Sequence, residues 1–226
     1  MIKCPSCERD QQPCLLCVNC GAPLGTALDL FAALGLPRIL TLDSARLEQI
    51  YHDFGRRIHP DRFANGSVKL RDASLRGTAL LTRAYRTLRD PVSRGLYWLE
   101  LNGHKLAENN KSVPAILAEM VFEVQEQLAD LRAARDDSTG EAARLRGEMD
   151  ERRAELNCMI EEAHRELAQN FAHWDAHHPK DAYVDLGDGV NSDALVKELK
   201  SILSKIAYLR TLIRDIDREL DSAQAA

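Results

Sequence analysis

The tripeptide His59-Pro60-Asp61 follows a helical pattern and fixes the point at which that helix ends. Apolar residues recur before it at three- and four-residue spacing, which is typical of an amphipathic helix. Pro60 has no backbone N–H and pushes the preceding residue out of the helical conformation, so the helix is predicted to stop at His59. His59 and Asp61 would then lie on a turn at the helix end. The apolar positions of the pattern are Leu47, Ile50, Tyr51, Phe54 and Ile58.

A second amphipathic pattern follows the turn, after a polar loop at residues 64–69. Its apolar residues again share one face of a helix. Two helices that each carry one apolar face can bury those faces by packing against each other. The sequence therefore predicts an antiparallel helical hairpin with the tripeptide at its tip. The residues that mark the face of the second helix are Leu81, Ala84 and Leu88.

Shorter helices are predicted on either side of this hairpin. The first covers residues 28–34 and ends at Gly35, and Asp43 is a suitable N-cap for the first long helix. A last helix over residues 92–101 is too apolar to stand free in solvent, so we expect it to be buried. Its apolar residues are Leu96, Tyr97, Leu99 and Leu101.

Three motifs in this region resemble those of one protein family: FAALGLP near the start, HPDRF at the tip and TLRDPVSRGLYWLELNG at the end. The hairpin resembles the J domain of DnaJ-type co-chaperones. The motifs together resemble the HscB family, which serves iron–sulfur cluster assembly, tightly over residues 27–103 and loosely over the rest of the chain. The second long helix departs from the family pattern, which more often has a Ser-Ala and Asn-rich sequence there. The departing residues are Gly77, Thr78, Leu81 and Thr82.

The resemblance implies that the tip docks on a DnaK/HscA-type ATPase chaperone and promotes its ATP hydrolysis. Asp61 would accept charge-assisted hydrogen bonds from an arginine of the partner, while His59 and Pro60 would shape the turn. The solvent side of the preceding helix is basic, and Arg56 and Arg57 are expected to face the acidic surface of the chaperone. The alternative for these two arginines is a solvated helix face without a partner.

Five of the six cysteines fall within the first twenty residues. Cys4 and Cys7 form one CxxC pair and Cys17 and Cys20 form another, with nine residues between the pairs. Two tight turns of this kind can bring four thiolates around one Zn²⁺. We therefore expect Cys4, Cys7, Cys17 and Cys20 to hold a structural Zn²⁺ in residues 1–25. Its binding would fold a small zinc-ribbon-like segment that is too short to build a core of its own.

Cys14 leaves this ligand set open, because Cys14-Leu15-Leu16-Cys17 is also a CxxC sequence in which Cys14 could replace Cys17 or Cys20. The preferred set includes a CxxCG sequence, in which Gly21 permits the positive φ that such turns often need. Disulfides or a redox-active cysteine pair are the alternatives to zinc. A site with four protein ligands has no open position for a substrate, so the zinc is expected to be structural or to support an interaction.

Beyond residue 103 the sequence changes to long, charged helical patterns, which predict an antiparallel three-helix bundle over residues 112–222. A loop is predicted at residues 175–191, and Cys158 is expected to be packed. The apolar stripes are Leu117, Val121, Val124, Leu128 and Leu131 in the first helix, Leu145, Met149, Leu156, Ile160, Ala163 and Leu167 in the second, and Leu195, Leu199, Ile202, Ile206, Leu209, Ile213, Ile216 and Leu220 in the third.

An aromatic residue stands in the acidic face of the first bundle helix. At 100° per residue, Phe122 lies about 140° from the centre of the apolar stripe. Tyr208 and Leu212 of the third helix also lie off their stripe and are expected to widen this surface. In the HscB family, this helix and part of the last one bind the cluster scaffold IscU through apolar and acidic residues. The resemblance implies that Phe122, Glu119, Glu123, Glu126 and Tyr208 bind the scaffold. The alternative is that Phe122 packs beneath the J domain.

Composition and charge exclude several classes of protein. The 226 residues are 45% apolar and 29% charged, and no stretch is apolar for long enough to span a membrane. Residues 26–103 hold twelve Lys or Arg against eight Asp or Glu, whereas residues 104–226 hold sixteen against twenty-five. The acidic half would repel phosphate, which disfavours nucleic acid as a partner. The first residues resemble neither a secretory signal nor a transit peptide, so the cytoplasm is the expected location.

The expected fold is all-α: a J-domain helical hairpin at residues 27–103 and the three-helix bundle, preceded by the small zinc-binding segment. No nucleophile, phosphate loop or acid–base pair accompanies these features, so we expect no enzymatic activity. The expected function is a co-chaperone that stimulates the ATPase and delivers an IscU-type scaffold to it for cluster transfer. The alternatives are a zinc-dependent thiol oxidoreductase and a general J-domain chaperone for other clients. The sequence leaves open whether the chain forms an oligomer.

Overall fold

Helices make up most of the regular structure, as the apolar periodicity predicts. The computed structural model describes residues 1–24, 28–104, 106, 117–134, 140–177 and 192–222. Among these residues the only strands are one short antiparallel pair, in which Ile2 lies opposite Gln11. In chain order the elements are β1 (Ile2–Lys3), β2 (Asp10–Gln11), α1 (Leu30–Ala33), α2 (Ser44–Ile58), a 3-10 turn (Pro60–Phe63), α3 (Val68–Arg89), α4 (Pro91–Leu101), α5 (Ala118–Ala133), α6 (Glu141–His177) and α7 (Ser192–Ser222).

The chain divides into two compact units. The first consists of Met1–Trp98 and Phe171–Gly187, and the second of Leu99–Asn170 and Asp188–Ala226. The first unit therefore holds the cysteine-rich segment, the hairpin and the end of α6. The second holds α5, most of α6, and α7, which the sequence predicts as a bundle.

Each helix of the α2–α3 hairpin begins with a side-chain N-cap. The Asp43 carboxylate accepts the backbone N–H groups of Ala45 and Arg46, as its predicted N-cap role requires. The Ser67 hydroxyl accepts the N–H of Leu70, and the last two residues of the predicted loop already belong to α3. The rings of Tyr51 and Tyr85 stack at 4.2 Å between centroids. The apolar residues that are buried in the two helices include Leu47, Ile58, Leu81, Ala84 and Leu88.

Helix α4 is buried along one face, as its apolar character predicts. Trp98 and Leu99 are buried there, whereas Leu96, one of the apolar residues on which that prediction rested, is 39% exposed. At 100° per residue, Leu96 lies roughly 120° from the centre of the buried face. The Tyr97 hydroxyl accepts the N–H of Leu30 at the start of α1. Burial raises the pKa of Tyr97 above its usual value.

The end of α6 packs inside the first unit. The rings of Trp98 and Trp174 meet edge to face at 4.4 Å. The Asp175 carboxylate accepts the backbone N–H groups of Leu40, at 2.9 and 3.1 Å, and Thr41, at 2.6 Å. Asp175 is therefore helical and anchored, and the predicted loop does not begin there. Helix α6 runs to His177, and the rest of the predicted loop, residues 178–191, lies outside the described residues.

Replacing Asp175 should destabilise the first unit. In Asp175→Ala the N–H of Leu40, a fully buried residue, loses its acceptor, and an unpaired buried donor costs about 1–3 kcal/mol. Denaturant unfolding of the full chain measures this cost. Asp221→Ala, which removes an exposed carboxylate from α7, is the matched control. Equal unfolding midpoints for the two variants would contradict a stabilising role for Asp175.

Polar pairs fix the direction of the helices in the second unit. Arg153 on α6 pairs with Asp217 on α7 at 3.1 Å, and Glu166 pairs with Lys205, also at 3.1 Å. Residue numbers rise on α6 as they fall on α7, so these helices are antiparallel. Arg132 near the end of α5 pairs at 2.7 Å with the buried Glu219 near the end of α7, which makes α5 and α7 parallel. This is the predicted up-down-up bundle.

The predicted apolar stripes supply the bundle core, with two corrections. Leu212, expected at the surface, is only 3% exposed, because α7 buries a wider face than its central stripe. Cys158, expected to be packed, is exposed. The core residues of α5 and the parts of α6 and α7 that pack with it are Leu117, Val124, Leu128, Leu131, Ala134, Leu145, Met149, Leu156, Leu209, Leu212, Ile216 and Leu220.

Candidate functional site

The turn at the tip of the hairpin has the geometry that Pro60 imposes. His59 ends α2 with φ −53° and ψ 133°, which is extended backbone, and Pro60 begins the 3-10 turn. The His59 Nδ1 accepts the N–H of Asp61 at 3.3 Å and lies 3.4 Å from the Asp61 carboxylate. The Asp61 side chain is 90% exposed and that of His59 is 57% exposed. The turn therefore presents a carboxylate to a partner.

A buried hydrogen bond holds the residue that precedes this turn. The Ser74 hydroxyl on α3 donates to the carbonyl oxygen of Ile58 at 2.6 Å. Both residues are fully buried. The last carbonyl groups of a helix have no partner within the helix, so this bond satisfies one of them and ties the end of α2 to α3. The exposed turn therefore follows directly after a residue whose position is fixed by a buried hydrogen bond.

Arg56 and Arg57 both lie on the exposed side of α2, as predicted. Arg56 forms an ion pair with Asp53 one turn earlier. The guanidinium of Arg57 lies 5.6 Å from the centre of the Phe54 ring. Cations in the last turn of a helix are also favoured by the helix dipole. The two arginines are accessible to a partner, and each has a local contact that holds its side chain.

The cysteine-rich segment contains two tight turns of the same construction. In the first, Glu8 donates its N–H to the carbonyl of Cys4 at 3.0 Å, and in the second, Gly21 donates to Cys17 at 2.9 Å. Glu8 and Gly21 occupy equivalent positions, with φ of 60° and 72°. The predicted positive φ of Gly21 is thus confirmed, and Glu8 adopts the same conformation without being glycine.

The two turns bring the predicted ligands together. The Sγ atoms of Cys4 and Cys20 are 3.6 Å apart, and those of Cys7 and Cys17 are 3.7 Å apart. All four Sγ atoms lie within 4.8 Å of one another. A Zn–S bond of about 2.3 Å gives a tetrahedron with an edge of about 3.8 Å. The four cysteines could therefore hold one metal ion with tetrahedral geometry.

The four thiols influence one another's pKa values. The backbone N–H of Cys20, and next that of Asn19, lowers the pKa of Cys17 to about 6, against the opposing effect of desolvation. The backbone N–H of Arg9 would lower the pKa of Cys7, but desolvation and the three neighbouring thiols raise it to about 11. Four thiolates in this space repel one another unless a cation is present, and a bound metal supplies that charge.

Cys14 lies outside this group. Its Sγ donates to the carbonyl oxygen of Leu16 at 3.1 Å. Burial raises its pKa, which keeps the thiol protonated. Since a metal binds the thiolate, these features favour the ligand set without Cys14.

The acidic face of α5 presents one large apolar side chain. Phe122 is 72% exposed and does not pack in the core of the bundle. Glu119 and Glu126 are also exposed. Glu123 is half-exposed and pairs with Arg152 on α6 at 3.4 Å. Tyr208 is partly buried and packs against the bundle core. The accessible part of the predicted surface is therefore centred on Phe122.

Sequence reasoning missed the contacts between the cysteine-rich segment and α3. Leu70 packs against the cluster that contains Cys4 and Cys17. Leu15, between the two pairs of ligands, is 3% exposed and lies beside Gly77. The unusual Gly77 was the one available signal, because a glycine inside a helix often marks a close approach of another group.

Comparisons with known proteins agree with this architecture. The chain is 32% identical over 133 residues to the co-chaperone protein HscB homolog of Chromobacterium violaceum, which covers 58% of this chain and 76% of that protein. The fold is similar to that of human co-chaperone protein HscB, with a TM-score of 0.66 and 23% identity over 96% of this chain and 98% of that one. It is also similar to chaperone HscB from Vibrio cholerae, with a TM-score of 0.55 and 22% identity over 86% and 99%.

The chain therefore belongs to the HscB family of J-domain co-chaperones in iron–sulfur cluster assembly. No protein-family model matches the chain. Within the described ranges, none of the helices combines the length and the apolar character that crossing a membrane requires.

Proposed function

We propose that this protein is a non-enzymatic adaptor that stimulates the ATPase of a DnaK/HscA-type chaperone and delivers an IscU-type scaffold to it for cluster transfer. The observation that carries the proposal is the exposed Asp61 carboxylate on a turn with a buried anchor. A carboxylate held in this way can accept a bidentate hydrogen bond from an arginine of the chaperone. His59 and Pro60 set the backbone that presents it. The reaction takes place in the chaperone.

The basic side of α2 would provide the rest of this docking surface. Arg56 and Arg57 lie in the last turn of α2, directly before the tip, and both are exposed. Exposed charges of this kind raise the rate of association with an acidic partner more than they raise the final affinity. Binding to the chaperone should therefore weaken as ionic strength increases.

The scaffold would bind the face of α5 centred on Phe122. An exposed aromatic ring among carboxylates suits a partner with an apolar pocket and a basic rim. Glu119 and Glu126 would meet that rim directly, and Glu123 would do so beside Arg152. Tyr208 would contribute through the part of its ring that is accessible. Phe122 is proposed as the main anchor because its side chain has the most area to lose to a partner.

The metal is proposed to be Zn²⁺, with Cys4, Cys7, Cys17 and Cys20 as its ligands. Four sulfur ligands in a tetrahedron suit zinc, and the site has no open position for chemistry. The metal would therefore fold the segment. The proposed location is the cytoplasm, which keeps thiols reduced. Neither nucleic acid nor a membrane is proposed as a partner.

Single-turnover ATP hydrolysis by the chaperone tests the central proposal. The purified full-length protein should raise the hydrolysis rate of an HscA-type chaperone, and scaffold added with it should raise the rate further. Direct binding of the scaffold is measured in parallel by calorimetry. A hydrolysis rate that stays at its basal value with saturating protein would contradict the proposed function.

Removing the aromatic and acidic face should weaken scaffold binding. Phe122→Ala combined with Glu123→Ala and Glu126→Ala is expected to cost a few kcal/mol of binding free energy, since hot spots pair an aromatic anchor with charged neighbours. Stimulation of the chaperone in the absence of scaffold should survive. Calorimetric titration with the scaffold measures the loss.

Two controls separate binding from folding. Glu161→Ala with Glu162→Ala removes two exposed carboxylates from α6 and should bind the scaffold as the wild type does. Leu128→Ala removes a fully buried core side chain and should cost about 2–5 kcal/mol of stability, whereas the triple variant should melt within a few degrees of the wild type. If the triple variant bound the scaffold with wild-type affinity, this face would be a solvated surface with no role in scaffold binding.

A further inference from the structure

The cysteine-rich segment packs on the same helix that anchors the tip of the hairpin. Leu70, in the first turn of α3, packs against the cluster formed by Cys4, Cys17 and Ala22. Leu15 lies between the two metal-binding turns and is buried. The cysteine-rich segment therefore contacts α3 directly at two of the proposed metal ligands, Cys4 and Cys17.

Gly77 forms a notch in α3 that two other side chains share. A Cβ on Gly77 would lie 2.3 Å from Ile58 Cδ1 and 3.4 Å from Leu15 Cδ1. The first distance is shorter than any real contact, so Ile58 can take its place only because residue 77 has no side chain. Leu15 of the cysteine-rich segment packs into the same notch. Ile58 is the residue directly before His59, and its carbonyl is the acceptor of the Ser74 bond.

We propose that the metal-loaded segment positions the His59-Pro60-Asp61 turn, with Leu15 and Leu70 as the positioning residues. A segment of this length has too few apolar residues for a core of its own, so the metal would supply most of the free energy that keeps it folded. Loss of the metal would withdraw Leu15 from the notch and expose Ile58 and α3 to water. The end of α2 would then lose the packing that fixes the direction of the turn. The metal thereby controls how well the tip fits its partner.

Hydrogen exchange on the full chain tests the structural part of this inference. The zinc-loaded protein is compared with the same protein after removal of zinc by a chelator. Amides at residues 58–64 and 70–78 should exchange at least about tenfold faster without zinc, because local opening there becomes easier. Amides of α5 and α7 should keep their rates. Unchanged protection at residues 58–64 in the metal-free protein would overturn the inference.

A variant that keeps the metal separates positioning from folding of the segment. Leu15→Ala should bind one zinc per chain yet show faster exchange at residues 58–64. Leu15→Met, which restores an apolar side chain of similar volume, should recover most of the protection. Val18→Ala is the matched control, since Val18 lies in the same segment but is 76% exposed, and it should behave as wild type. Wild-type exchange in zinc-loaded Leu15→Ala would refute the role of Leu15.

The functional consequence rests on the proposed stimulation of the chaperone. Leu15→Ala should raise the protein concentration needed for half-maximal stimulation about tenfold, with little change in the maximal rate, because a mispositioned turn binds less often in its competent form. If wild-type protein gives no stimulation at all, the proposed function fails while the exchange experiment still decides the positioning role. If stimulation is normal and exchange does not respond to zinc, only the positioning role fails.

Discussion

A chain that carries Asp61→Asn should leave the ATPase of the chaperone at its unstimulated rate. The substitution keeps the shape of the side chain and removes the charge that would pair with an arginine. The hydrogen bonds to a charged group are roughly twice as strong as neutral ones, and Asp61 is almost entirely exposed before binding. His59→Gln should have the same result, because Nδ1 of the ring accepts the Asp61 N–H that shapes the turn. Single-turnover ATP hydrolysis measures both losses.

These variants should fold as the wild type does. Neither side chain contributes to the buried hairpin, so each change should alter the free energy of unfolding by no more than about 0.5 kcal/mol. Helicity and melting temperature verify this. Asp72→Asn is a suitable control, because Asp72 is an exposed carboxylate of α3 that pairs with Arg76 within its own helix. Full stimulation by Asp61→Asn, or equal loss with Asp72→Asn, would exclude the proposed role of the tip.

The backbone of the tip was predictable because one residue controls it. Pro60 forces the extended conformation of His59, and the effect needs no contact from elsewhere in the chain. The cap by Asp43 is equally local, because it depends only on residues two and three positions further on. The bundle stripes were predictable for a related reason: helical periodicity places most of their members on one face. The helices and most of their buried faces could therefore be predicted from interactions between residues close together in the sequence.

The burial of residues that lie away from the central apolar stripe of a helix was predicted less well. Leu212 lies off the central stripe of α7, and it is buried because the bundle covers a wider face than one stripe. Cys158 shows the opposite error. It lies two residues from the buried Leu156, roughly 200° around the helix, so periodicity itself indicates an exposed thiol. The expectation of burial relied on the general tendency of cysteine instead.

Individual contacts between separate elements that no motif marks could not be predicted. Asp175 binds the N–H of Leu40 across a separation of 135 residues, and nothing in either local sequence indicates the pair. The contact of Leu15 with the notch at Gly77 is of the same kind. Only the glycine hinted at it, and a helical glycine alone does not identify the group that approaches it. The positions of such contacts follow from the packing of whole elements.

Cys4→Ser and Cys20→Ser should abolish zinc binding, whereas Cys14→Ser should keep one zinc per chain. Structural zinc sites supply about 10–16 kcal/mol of apparent binding free energy, and a serine hydroxyl cannot replace a thiolate ligand. Cys4 and Cys20 lie within the group of four thiols, while Cys14 donates to the Leu16 carbonyl outside it. Metal analysis of the purified variants measures the stoichiometry.

Thiol titration with and without a chelator distinguishes this structural role from thiol chemistry. In the zinc-loaded protein four thiols should be protected, and Cys158, which is exposed, should react at once. The chelator should release the four together, since the site loses its fold as a unit. Loss of zinc in Cys14→Ser alone would overturn the ligand assignment. Rapid reaction of Cys17 while zinc is bound would instead favour the thiol oxidoreductase alternative, because a thiolate that serves as a structural zinc ligand is protected from reaction.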